Sequence, residues 1–226
     1  MKASLPQHEE AADRAVGMVL PDMVVGLGTG PLVETVVEKM AAAVKAGRLP
    51  GVVAIPACLA VAERARALGL PLSSLEDHGS VDLVIESADE VDAKGRAIKR
   101  AGTFLQEKVL AQMGKKVVWM AESSALSPTL GTNGPVPVEV VAFAQQAARR
   151  RLEKLGARVE LRTNVLSKAF RTEHNNLILD ADFGPIPDPS ALASAISSTA
   201  GVVEQGLFLD LDTQVIEVKQ TVSASP

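Results

Sequence analysis

Cysteine is nearly absent. Cys58 is the only one in 226 residues, which rules out an internal disulfide and fits a reducing cytoplasm. It sits among Ala57, Leu59 and Ala60, the setting of a small buried filler rather than a nucleophile. Long apolar runs are missing too: no stretch of about 18 residues is both apolar and uncharged. The nearest, Leu49 to Ala62, is shorter and carries Pro50 and Pro56, so no membrane span is expected. The opening residues lack the apolar core of a secretory signal. No basic run exceeds Arg149-Arg150-Arg151, and 23 Lys and Arg against 27 Asp and Glu leave a net charge of −4. Nucleic acid, whose phosphates are gripped by Lys and Arg, is excluded as a principal partner. Gly-x-Ser-x-Gly, the turn of a serine nucleophile, does not occur. His8, His78 and His174 share no ligand spacing and read as surface histidines, so no zinc or other metal site is expected. Internal repeats are absent, and low complexity is confined to the Ser-rich tail.

What the chain does have is apolar mass: 47% of its residues are hydrophobic and 22% charged, enough to bury a core in one large domain or two small ones. To about residue 122, short apolar runs alternate with stretches of helical period, the pattern of a parallel sheet covered by helices. Met23–Leu27, Val52–Ile55, Asp82–Ile85 and Val117–Met120 are the strand candidates. Leu32, Val33, Val36, Met40 and Val44 recur at spacings of three and four and predict a helix, with others near 57–68 and 103–113. From Ser123 to Pro137 the chain is dense in turn residues and reads as a linker. A smaller α+β module is expected beyond it, with strand 136–141, helix 143–155, strands 157–162, 168–172 and 176–181, and helix 189–199. Two last strands, near 201–208 and 213–218, fit either sheet by periodicity.

Three segments can carry chemistry. Gly26-Leu27-Gly28-Thr29-Gly30 lies between a strand and a helix, where glycines let the backbone wrap an anion or a sugar; a tight turn that binds nothing explains the glycines equally well. It is not a dinucleotide fingerprint, because Pro31 stands where the third glycine belongs, and it lacks the Gly-Lys-Ser/Thr of a Walker loop. Glu86-Ser87-Ala88-Asp89-Glu90-Val91-Asp92 follows a strand at its carboxyl end, the edge where open α/β sheets bind ligands. A solvated acidic turn is the plainer reading of this run, and Glu90 and Asp92 are expected to be surface charge. Lys99-Arg100-Ala101-Gly102 then leads into a helix with Glu107 in its second turn. A carboxylate near other carboxylates and one lysine suits a base that takes a proton from beside a carbonyl.

The ordered set of these pieces, with the later Gly-Pro-Val-Pro-Val-Glu-Val and Gly-Val-Val-Glu-x-Gly-Leu-Phe, resembles ribose-5-phosphate isomerase of the A type over nearly the whole chain. The resemblance implies an α/β, Rossmann-like domain formed by 1–130 and 207–226, with a ferredoxin-like α+β domain, 131–206, inserted. It implies interconversion of ribose 5-phosphate and ribulose 5-phosphate with neither metal nor cofactor, by homodimers or homotetramers. Glu107 matches the base that moves a proton between C2 and C1 through an enediolate. Asp89 matches the acidic residue that handles hydroxyl protons and ring opening, and Lys99 the lysine beside the reacting oxygens. Glu86 matches the first carboxylate of the family's Asp-Gly-Ala-Asp and Ser87 its glycine. Gly28, Thr29 and Gly30 match the start of the substrate loop, and Gly102 the last glycine of a Lys-Gly-Gly-Gly turn.

The chain departs from the family at the expected phosphate end. The loop continues Pro31-Leu32 instead of Ser-Thr, and Arg100-Ala101 replace two glycines. Ser124 stands where a phosphate-reaching lysine is frequent, and the first helix offers His8, Glu9 and Glu10 in place of a basic residue. Hydroxyls and positive charge are thereby lost where a dianion needs them. Three outcomes stay open at the level of sequence: an isomerase in which residues such as Arg100 replace the lost contacts, a diverged relative that binds another small ligand or none, and an isomerase of a different sugar.

Overall fold

The computed structural model describes residues 5–101 and 104–219. In chain order the helices and strands are α1 (Pro6–Val16), β1 (Val24–Leu27), α2 (Pro31–Lys45), β2 (Val53–Pro56), α3 (Leu59–Ala67), β3 (Leu83–Ser87), β4 (Glu90–Val91), β5 (Ala97–Ile98), α4 (Phe104–Met113), β6 (Val117–Glu122), β7 (Val136–Val140), α5 (Gln145–Lys154), β8 (Arg158–Leu161), β9 (Leu177–Asp182), α6 (Pro189–Ser197), β10 (Val202–Gln205), β11 (Leu207–Phe208) and β12 (Thr213–Val218). They form two compact units, one of residues 1–88, 106–125 and 211–226 and one of 89–105 and 126–210.

The first unit is built on a parallel sheet ordered β12-β6-β3-β1-β2. Its inner strands β1, β3 and β6 are apolar almost throughout because helices cover the sheet, while the edge strand β12 alternates polar and apolar residues. Proline opens α1 and α2, where its missing N–H falls among donors that no helix satisfies. From α2, Leu32, Val33, Val36, Val37 and Met40 are buried against Val25, Leu27 and Ile85 of the sheet in one core. β1 lies between β2 and β3, so the chain winds one way from β1 to β2 and the other way onward to β3. That reversal is the switch point at which doubly wound sheets open a crevice at their carboxyl ends.

The second unit holds a four-stranded antiparallel sheet ordered β10-β7-β9-β8. Its succession β7-α5-β8-β9-α6-β10 is the β-α-β-β-α-β pattern of ferredoxin-like modules. Val138, Val140, Leu152, Leu177, Leu179 and Ile196 make its core. A three-stranded sheet, β11-β5-β4, completes the unit.

Four expectations need correction. Residues 168–172 are not a strand. After one bridge, Thr163 to Ala169, the Thr172 hydroxyl turns to the Glu139 carboxylate at 2.8 Å and its N–H to the Asn176 carbonyl at 3.1 Å, curling the chain into a turn. The turn-rich stretch 123–137 is no free linker, because Leu130 is fully buried with Ile98, Val136, Ile186 and Leu207. Glu90 and Asp92 are not surface charge. Glu90 is fully buried on the Arg100 guanidinium and Asp92 is 5% exposed beside Arg96, since each has a cation and backbone N–H groups to replace water. His8 and His78 are half-buried rather than on the surface, His8 Nε2 lying 3.0 Å from Glu122 Oε1 and His78 Nε2 2.9 Å from the Ser73 hydroxyl.

Candidate active site

Within the first unit the site is assembled at the switch point. Leu27 of β1 and Ile85 of β3 are paired, and the ladder runs one residue further through the Gly28 N–H, 3.0 Å from the Ile85 carbonyl. Glu86, at the end of β3, is fully buried and turns its carboxylate under the loop that follows β1. Its Oε1 accepts the Thr29 N–H at 3.0 Å and the Ser87 N–H at 2.8 Å. The Ser87 hydroxyl donates back to the Thr29 carbonyl at 2.7 Å, closing the loop against the strand. Gly28 leaves room for the Glu86 carboxylate: a Cβ at that position would overlap it and force it to shift from its hydrogen bonds to Thr29 and Ser87. Gly30 has φ 100° and caps α2, a conformation that L side chains rarely adopt.

Glu107 is brought to the same loop. It lies in the first turn of α4 rather than the second, because the described helix starts at Phe104, and it is fully buried. The Thr29 hydroxyl donates to its Oε1. Thr29, matched by sequence to substrate contact, thus uses its N–H on one carboxylate and its hydroxyl on another. Gly28, Thr29, Gly30, Glu86, Ser87 and Glu107 are therefore gathered at one sheet edge. A buried carboxylate oriented by a hydroxyl, above a glycine loop and beside a helix start, is equipped to carry a proton between neighbouring atoms of a small polar substrate.

Asp89 and Lys99 belong to the second unit. Asp89 follows directly on Ala88, the last residue of the first, and is exposed; Lys99 is 1% exposed at the end of β5. The Arg100 N–H donates to Asp89 Oδ2 at 2.5 Å. The Arg100 side chain, one candidate for replacing lost phosphate contacts, is instead engaged within its own unit by Glu90 and by backbone carbonyls. Glu90 was missed because one more carboxylate in an acidic run gives no signal of its partner. Gly102 lies outside the described residues. Ser124 is exposed in a short turn after β6. Among the described residues no three His, Cys, Asp or Glu are grouped to hold a metal ion, and no helix is long and apolar enough to cross a membrane.

A doubly wound α/β unit with carboxylates at its switch point, carrying a ferredoxin-like module, defines the class of fold and site. The family described as ribose 5-phosphate isomerase A (phosphoriboisomerase A) matches residues 53–221. The chain is 45% identical to ribose-5-phosphate isomerase A of Desulfatibacillum aliphaticivorans, over 92% of its own length and 91% of that protein's. Ribose 5-phosphate isomerase from Plasmodium falciparum matches its fold with a TM-score of 0.90 at 32% identity, covering 95% of this chain and 94% of the other. A D-ribose-5-phosphate isomerase in complex with phospho-erythronic acid matches with a TM-score of 0.91 at 29% identity, covering 95% and 94%. The chain belongs to the ribose 5-phosphate isomerase A family.

Proposed function

We propose that this protein interconverts ribose 5-phosphate and ribulose 5-phosphate, the aldose-ketose step of the pentose phosphate pathway. The observation that carries the reading is the buried Glu107 carboxylate, held by the Thr29 hydroxyl at the switch-point loop. Glu107 takes the proton from C2 of the open aldose, leaving an enediolate, and returns it to C1 to give the ketose. The Lys99 ammonium stabilises the negative oxygen of the enediolate. Asp89 handles the hydroxyl protons and opens the sugar ring, while Glu86 and Ser87 hold the loop 28–30. A relative's complex with phospho-erythronic acid supports a phosphorylated sugar as ligand. Gly102 joins the substrate-binding set on family resemblance alone, as do assembly into two or four copies and a cytoplasmic setting.

The test is a coupled assay of ribulose 5-phosphate formation by the purified protein. Glu107→Gln keeps the side-chain shape but removes the base, and kcat is expected to fall about 10²–10⁴-fold. Equal turnover by the variant, or none by the unaltered protein, overturns the reading.

A further inference from the structure

We propose that Arg100 is a positioning residue for the reaction, fastening Asp89 at both its main chain and its carboxylate. The inference rests on the reading that Asp89 opens the ring of ribose 5-phosphate. Asp89 is exposed, so no packed wall fixes its side chain. Arg100 supplies what packing does not. Its backbone N–H donates to Asp89 Oδ2 at 2.5 Å and its Nη1 to the Asp89 carbonyl at 3.2 Å. One residue thus holds both ends of the other.

Arg100 is itself built in. Its Nη2 meets the buried Glu90 carboxylate and, at 3.1 Å, the Gly134 carbonyl, while Nε donates to the Pro135 carbonyl at 2.9 Å. Glu90 also accepts the N–H groups of Thr132 and Asn133, at 3.0 and 3.3 Å, so loop 132–135 and the guanidinium lock each other. Gly134 makes the fit possible: at φ 143°, a Cβ there would come within 3.3 Å of Arg100 Nε. On the far side the Arg100 carbonyl accepts Arg162 Nη1 at 2.6 Å, and Arg162 forks onto Asp180 of β9, with Nε 2.9 Å from Oδ2. The ferredoxin-like sheet therefore anchors the residue that aims Asp89. A planar fork with five donors can serve these separated acceptors; a lysine has a single point of charge and cannot.

Two rates separate positioning from general loosening. Conversion of ribose 5-phosphate starts from a ring. Ribulose 5-phosphate has its O5 phosphorylated and cannot close one, so deuterium wash-in at its C1 in D₂O reads proton transfer without ring opening. Arg100→Lys keeps a cation beside Glu90 and is expected to retain the fold; it should lower turnover of ribose 5-phosphate about tenfold, the loss of one charge-assisted hydrogen bond. Wash-in should stay within about threefold, because the Glu107 carboxylate is untouched. Asp89→Asn should show the same split, and adding Arg100→Lys to it should lower turnover little further, since the two act as one unit. Arg100→Gly, which keeps only the N–H to Asp89, is the second variant. Equal rates in Arg100→Lys and the unaltered protein overturn the inference, as does a parallel fall of both rates or loss of fold in both variants. An unaltered protein with neither turnover nor wash-in sinks the isomerase reading instead.

Discussion

Thr29 shows how much of the site depends on single groups. Its N–H is committed to Glu86 and its hydroxyl to Glu107, so Thr29→Val leaves the loop tied down while releasing the Glu107 carboxylate, the proposed base. A hydrogen bond to a charged group contributes about 1.5–3 kcal/mol, and kcat should fall roughly ten- to a hundredfold, with thermal stability little changed, in the isomerase assay. Gly28 is the converse case, a position where an added atom has no room. Gly28→Ala drives a methyl group into the Glu86 carboxylate and should destabilise the protein by about 1–3 kcal/mol in urea unfolding. Glu86→Ala in the same chain removes the obstacle, so the double variant should lose less than the two single losses added together. The sequence marks Gly28, Thr29, Glu86 and Glu107 as one set but does not show which touches which. Glu90 reads as surface charge because nothing in the sequence shows that Arg100, ten residues on, and the loop 132–135, more than 30 residues on, enclose it.

At the level of elements, one carboxylate ties two strands and a loop together. Asp82, just before β3, accepts the Val24 N–H of β1 at 2.9 Å and the Lys115 ammonium at 2.7 Å. The hydrogen bond from Lys115, then that from Val24, holds the Asp82 carboxyl below its ordinary value. The sign follows: a carboxylate whose folded value is depressed contributes stability above its unfolded value, about 3.9, and loses it as pH falls through the lower folded value. Asp82→Asn should therefore destabilise the protein by about 1 kcal/mol at neutral pH. Thermal melts of the two proteins should converge as the pH drops below about 4. Helix α2 was legible because its apolar residues repeat over 15 positions, and the central strands because each is a short continuous apolar run. β4 and β5 were not, since two residues carry no period, and the strand expected near 201–208 is split at Gly206 into β10 and β11, which join different sheets.

Across the whole molecule, the chain passes between its two units at 88–89 and 105–106, and again at 125–126 and 210–211. Ligand binding to the folded state shifts its unfolding by mass action, by about 2.7 kcal/mol at a hundredfold excess over Kd. For a chain of this size that is roughly 5–10 °C in Tm. Ribose 5-phosphate should produce such a rise and free ribose almost none, because the phosphate supplies the binding energy that holds the reacting carbons in place. Equal shifts from the two sugars would show that the substituted loop at Pro31-Leu32 no longer distinguishes a phosphate.

The sequence by itself determined the α/β succession of the first unit, the presence of a smaller α+β module after it, the set of candidate carboxylates and the resemblance to a family, because hydrophobic period and local motifs are written in consecutive residues. Only the tertiary structure decided that β12 completes the parallel sheet while β10 joins the antiparallel one, a choice that periodicity leaves equal. It also decided that Glu90 is buried, that the Thr29 hydroxyl meets the Glu107 carboxylate and that the Arg100 N–H meets Asp89. Charge and hydrogen-bond capacity are properties of a residue, but the partner that satisfies them is a property of the fold.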